Sequence, residues 1–187
     1  IDQKRGITIN IPARPELNFT DFTQDNVWNW MVRLDHQINP SNTWAVRWLR
    51  ETSPQSNQFP SVTNWTKTRA EKETDTDWTI VGTLNSVIKN TKVNTLKLSY
   101  TNENVFFGNP GYFDTGDQAS LGPQLVFQTH QDGFSSRASQ RMDPAYQLDE
   151  TFAWFLPGKK GDHDLKFGTN FVYTPLHIYD TGNTNGT

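Results

Sequence analysis

Alternation at every second residue is the feature that most limits what this chain can become. In VWNWMVRLDHQI, residues 27–38, Trp28, Trp30, Val32, Leu34 and Ile38 fall on one side of an extended backbone, with His36 the exception. Asn29, Arg33, Asp35 and Gln37 fall on the other, together with Val27 and Met31. Successive side chains of a strand point to opposite faces, so a period of two specifies a β-strand with one apolar and one polar face.

The pattern returns five more times. Trp44, Val46 and Trp48 oppose Arg47 and Glu51; Trp78, Ile80, Leu84 and Ile88 oppose Asp77, Thr79, Thr83 and Asn85. Leu96, Leu98 and Tyr100 oppose Thr95, Lys97 and Ser99; Tyr146, Leu148, Phe152, Trp154 and Leu156 oppose Gln147, Asp149 and Thr151. Leu165, Phe167, Phe171 and Tyr173 oppose Lys166 and Asn170. The predicted strands lie near 26–38, 43–52, 76–88, 93–102, 145–156 and 165–175. Short polar turns (NPSN, KNTK, PGKKGDHD) join them into three hairpins, whereas segments 54–75 and 103–144 read as long loops. The tail YDTGNTNGT reads as the start of another.

The fold class is therefore all-β, an antiparallel meander of about six strands, with residues 1–187 forming one segment. Two solvents suit the apolar face. A soluble β-sandwich or jelly-roll, secreted or periplasmic, would cover it with a second protein layer. A transmembrane β-barrel would cover it with lipid, and three features favour that reading. Short turns alternate with long loops, as in outer-membrane barrels. The polar faces carry Arg, Asp, Lys, Asn and Thr, as a wet lumen requires. Trp and Tyr stand near strand ends, as interfacial girdles do. Closure would also remove the sheet edges that lipid cannot satisfy.

Composition fits. Only 34% of residues are apolar while 13% are aromatic, and mean hydropathy is −0.73, as expected where one strand residue in two must be apolar. A net charge of −3 gives no reason to expect a nucleic-acid partner, and the absence of cysteine excludes disulfides and a thiol nucleophile. No apolar run is long enough for a membrane helix. The opening IDQKRGITINIP reads like the interior of a longer chain, with any export signal expected upstream.

At NWMVRLDHQINPSNTWAVRW, Asn, then Arg-x-Asp-His, a short turn and a second Arg-bearing strand resemble the barrel of TonB-dependent outer-membrane receptors. The likeness is to the Oar-like group with a carboxypeptidase-regulatory-like domain, and GKKGDHDLKFGTNF resembles another of its hairpins. The resemblance covers about residues 18–175. It implies part of a larger barrel in the bacterial outer membrane, with lipid outside and Arg33, Asp35, Arg47, Asp77, Lys97, Asp149 and Lys166 lining the lumen. It also implies a TonB complex acting through a plug not visible in this sequence, and energised uptake of a small-molecule or oligosaccharide ligand.

Candidate binding residues are the loop aromatics Trp65, Phe106, Phe107, Tyr112 and Phe113 with Asp114, an arrangement on which a sugar or aromatic ligand could stack. Such aromatics more commonly pack loops together. In the alternative reading, a soluble glycan-binding or glycan-hydrolysing protein, Glu103 and Glu150 are the candidate catalytic carboxylates, meeting across a cleft. The DTGD run offers Asp114 and Asp117 as weak calcium ligands, without the full set of an EF-hand loop. Asp162, His163 and Asp164 fit a polar turn as well as a metal.

Overall fold

A computed structural model describes residues 2–59, 64–135, 137–158 and 160–182; the tail beyond 182 lies outside them. The elements run β1 (Asp2–Ile9), β2 (Phe19–Asn26), β3 (Trp28–Asn39), β4 (Asn42–Gln58), β5 (Glu71–Ile88), β6 (Lys92–Gly108), α1 (Pro110–Thr115), β7 (Gln124–Val126), β8 (Gln131–Gly133), β9 (Ser139–Leu156), β10 (His163–Tyr173) and β11 (His177–Asp180). Nine of the strands form one antiparallel sheet, and β7 pairs with β8 as a separate ribbon.

Register reduces the nine to seven. β2 and β3 pair with β4 in one continuous register, Asp25 opposite Gln55 and Trp28 opposite Thr52. The ladder is interrupted opposite Pro54, which has no N–H to give. β10 and β11 likewise share one register on β9, with Tyr173 opposite Tyr146 and His177 opposite Met142. The gap between them sets Pro175 against Pro144, and neither can donate. The result is a consecutive meander of seven strands, six of them long and β1 short.

The six predicted strands are present, and the structure corrects their number and their ends. β1 with β2 forms an added hairpin. The loops predicted from 54 and 103 begin later, because β4 continues to Gln58 and β6 to Gly108, while β5 and β9 begin at Glu71 and Ser139. Glu103 therefore stands on a strand.

The closing pairs Asn39–Asn42, Ile88–Lys92 and Leu156–His163 do not share a cross-strand row. The row through Asn42 runs through Ser86, Asn94 and Phe152, so each hairpin turn lies two residues further along its strands than the last. One residue per strand, with about 3.3 Å per residue and about 4.8 Å between strands, gives a tilt of about 35°, the value of closed barrels. At Lys89 and Asn90 the chain reverses through positive φ (51° and 56°), the turn handedness that suits strand twist.

Counted from these turns, Trp30, Trp78, Tyr100, Tyr146 and Tyr173 all lie eight to ten residues up their strands, on the apolar face. Their rings form a near-continuous ribbon: Trp78–Tyr100 4.9 Å, Tyr100–Tyr146 4.8 Å, Tyr146–Tyr173 6.1 Å between centroids. His36, Trp44 and Trp154 form a second level two to three residues from the turns. The two levels are about seven residues apart along the tilted strands, roughly 20 Å along the axis, which suits an apolar band about 25 Å tall.

No second layer covers the apolar face among the described residues. Trp28 is 69% exposed, and Leu34, Phe167 and Phe171 are open as well. The accessible surface is 11869 Å², against about 9,200 Å² for a compact monomer of this mass. The buried apolar cluster is small: Ile9, Ile11, Phe59 and Ala70, with Ile7, Leu17 and Phe19 against it, at the end of the sheet away from the turns. This is the opposite of a sandwich, whose core lies between two sheets.

Candidate functional site: a polar wall and its acidic mouth

The polar face forms one wall. Arg33 donates to Asp35 through Nε and Nη2 at 2.8 and 2.7 Å. Asn170 and Gln147 donate to Asp149, the latter at 2.9 Å, with Lys97 Nζ 3.9 Å away. Thr95 donates to Asn85 at 2.9 Å, and Thr79 and Thr101 bond at 3.0 Å. A groove of about 570 Å³ over this wall is lined by Arg33, Asp35, Arg47, Thr83 and Lys97 among others. Arg33, Asp35, Arg47, Asp77, Lys97, Asp149 and Lys166 thus share one face, as their alternation predicts.

Beyond the aromatic girdle the wall turns acidic. Glu51, Asp77, Glu103 and Asp143 stand in one cross-strand row, and Glu71, Glu73 and Asp75 continue that face along β5. A cavity of about 540 Å³ lies here, lined by Glu71, Glu73, Asp75, Glu103, Phe107 and Arg141 with their neighbours. Like charges opposite one another repel. Arg141 offsets part of this, its guanidinium 2.6 Å from Glu103 and 2.9 Å from Asp143. Burial, reinforced by the neighbouring Asp75, pushes the Asp77 carboxyl up to about 6. Glu71, Glu73 and Asp75 are raised too, chiefly by burial. One carboxylate oxygen on each of Asp75, Asp77 and Asp143 is buried without a hydrogen-bond partner.

The predicted site residues are dispersed. Phe106 packs on Tyr112 and Phe113 at 5.2 and 4.7 Å, and Lys72 lies over the Phe113 ring at 4.7 Å. These rings hold α1 to β6 and are half-buried. Phe107 faces the acidic cavity, with Arg137 over its ring at 5.4 Å. Trp65 bridges to Gln131 and carries the Arg69 guanidinium at 4.3 Å. Asp114 is exposed on α1. Asp117 caps the following 3-10 turn, accepting from Ala119 N at 2.9 Å, and Asp162 accepts from Gly158 N at 3.1 Å. No three His, Asp or Glu among the described residues are grouped to hold a metal.

Glu103 and Glu150 do not meet. Glu103 is opposite Asp77 on the polar face, whereas Glu150 is opposite Leu96 on the apolar face. The sheet separates them, so the paired-carboxylate arrangement fails. What the sequence reading missed is the acidic row. Its signal was Glu73, Asp75 and Asp77 at every second position; the cross-strand partners needed register.

A tilted meander with two aromatic girdles, one lipid-suited face and one hydrated face defines a membrane β-barrel wall. The profile of the family described as "Outer membrane beta barrel domain" matches residues 7–187, and the chain belongs to that family. Its place is the bacterial outer membrane, with the short turns on the periplasmic side and the acidic mouth outside. Comparison with curated proteins and with solved structures gives no significant match.

Proposed function

We propose that this wall belongs to a TonB-dependent receptor that captures an external nutrient and imports it by energised transport. The supporting observation is a continuous polar path. It runs from the acidic cavity at Asp75 and Glu103, past Thr79 and Thr101, to Lys97, Asp149 and Arg33 about midway between the two aromatic levels. A carboxylate-lined, partly desolvated mouth concentrates cationic solutes and repels anionic ones. The ligand is accordingly a small molecule or oligosaccharide with a net positive or neutral outer surface. Trp65, Phe107 and the Phe106–Tyr112–Phe113 cluster with Asp114 shape the entrance.

The test is accumulation of a panel of labelled cationic, neutral and anionic solutes in cells carrying the barrel. The reading requires uptake that stops on removal of the TonB complex or the proton-motive force, and that falls for cationic members when Asp75 and Glu103 are both replaced by amides. Uptake unchanged by loss of TonB contradicts the energised mechanism.

A further inference from the structure

Two arginines stand directly opposite one another on the lumen face. Arg33 on β3 pairs with Arg47 on β4, a like-charge pairing that weakens a ladder. Asp35 takes up one of them, accepting from Arg33 Nε at 2.8 Å and Nη2 at 2.7 Å. No hydrogen bond or ion pair within the described residues reaches the Arg47 guanidinium, which is exposed. Two strands along, Lys97 has Asp149 at 3.9 Å, and Asp149 already accepts from Asn170 and Gln147.

These cations border the groove of about 570 Å³. Arg47 is opposite Val81 and Lys97 is opposite Thr83, with β5 between them. Two strand spacings and a two-residue offset set their Cα atoms about 12 Å apart, so both side chains can close on one group held over Val81 and Thr83. Asn85 joins the lining, and because Thr95 donates its hydroxyl proton to Asn85 Oδ1 at 2.9 Å, the amide nitrogen is left to donate. Arg33, Arg47 and Lys97 against Asp35 and Asp149 leave the groove and its rim with one excess positive charge.

We infer that this groove seats a carboxylate, and that the solute imported here is an extended, dipolar oligopeptide. One excess positive charge matches a monoanion, and the arginine fork matches the two oxygens of a carboxylate. The peptide assignment rests on the acidic mouth proposed above, which turns away a solute that is anionic alone. An ammonium group at the mouth and a carboxylate in the groove satisfy both ends of the path. Asp77 lies four residues from Val81 along β5, and Glu103 six from Lys97 along β6, which is about 13 and 20 Å. An extended chain at up to ~3.6 Å per residue spans such distances with about four to six residues.

Equilibrium binding of tritiated pentaglycine to the intact barrel in lipid nanodiscs tests this, with the free acid compared against the C-terminal amide. The free acid is expected to bind at least tenfold more tightly. R47Q and K97Q should each reduce that preference and R47Q/K97Q should abolish it, while K166Q, which removes a lumen-facing lysine outside the groove, should leave it intact. N-acetylation of the peptide should weaken binding of acid and amide alike, because it removes the ammonium that the mouth holds. Heat-modifiable gel mobility verifies that each variant is folded. Equal binding of acid and amide by the wild type, as when a carboxylate elsewhere in the intact chain already occupies Arg47, overturns the seat, and so does a preference that survives in folded R47Q/K97Q. Indifference to N-acetylation overturns the oligopeptide assignment. Binding at equilibrium needs no TonB complex, so uptake that proves independent of TonB removes the energised reading and leaves this result standing.

Discussion

Asp75 and Asp77 stand two residues apart on the same face of β5, beyond the outer aromatic girdle, each with a buried carboxylate oxygen that no donor reaches. A protonated Asp77 is within hydrogen-bonding reach of Asp75, whereas two ionised carboxylates held side by side by the ladder repel. The mouth is therefore strained when fully ionised.

The sign of the pH dependence follows. Asp77 is raised to about 6, first by burial and then by Asp75, so its protonated form is the one the fold favours. The stabilising contribution is complete below about pH 4, the ordinary range of an aspartate, and is lost as pH rises through about 6. Amide exchange of residues 73–77 and 103–107 should be slower at pH 5 than at pH 8, after correction for intrinsic rates. D77N should flatten this difference. R141Q should enlarge it, because Arg141 lowers the carboxyls of Asp75 and Glu73. A D77N variant retaining the full pH difference contradicts the assignment.

Arginine placed on the two faces should have opposite effects. Val32→Arg or Leu84→Arg puts a cation into hydrocarbon and should cost about 2–4 kcal/mol near the midplane. Thr83→Arg faces the hydrated groove and should change stability little. Urea titrations of folding into lipid vesicles measure both.

Gly133 takes φ +74°, and a Cβ there would meet the Pro123 carbonyl oxygen at 2.3 Å. Gly133→Ala should loosen the β7–β8 ribbon by about 1–3 kcal/mol while leaving the barrel strands folded. The expected sign is protease cleavage between residues 122 and 135 with the strand circular dichroism unchanged. Wild-type protease resistance there contradicts it.

The strand faces were legible in the sequence wherever the chain crosses the membrane, because lipid and water impose opposite demands on alternate residues. Beyond the girdle both faces are wet, the period fades, and the upper ends of β4 (53–58), β5 (71–75), β6 (103–108) and β9 (139–144) read as loop. Pro54 and Pro144 deepened that misreading. Both lie within ladders, Pro54 opposite Thr74 and Pro144 opposite Asn102, because their missing N–H falls toward a neighbouring strand that breaks there. The acidic row needed register, which no single strand encodes. The aromatic loops were visible by composition, but only the structure places Phe106 against α1 and Phe107 at the mouth.

The central claim is that bilayer lipid covers the face bearing Trp78, Tyr100 and Tyr146. The most direct test is single-cysteine spin labelling at residues 95–101 of β6, with oxygen and a water-soluble nickel complex as competing relaxants in lipid vesicles. Oxygen accessibility should peak at 96, 98 and 100, and nickel accessibility at 95, 97, 99 and 101, in opposite phase. Equal accessibility at all seven positions, or the reverse phase, would contradict the claim.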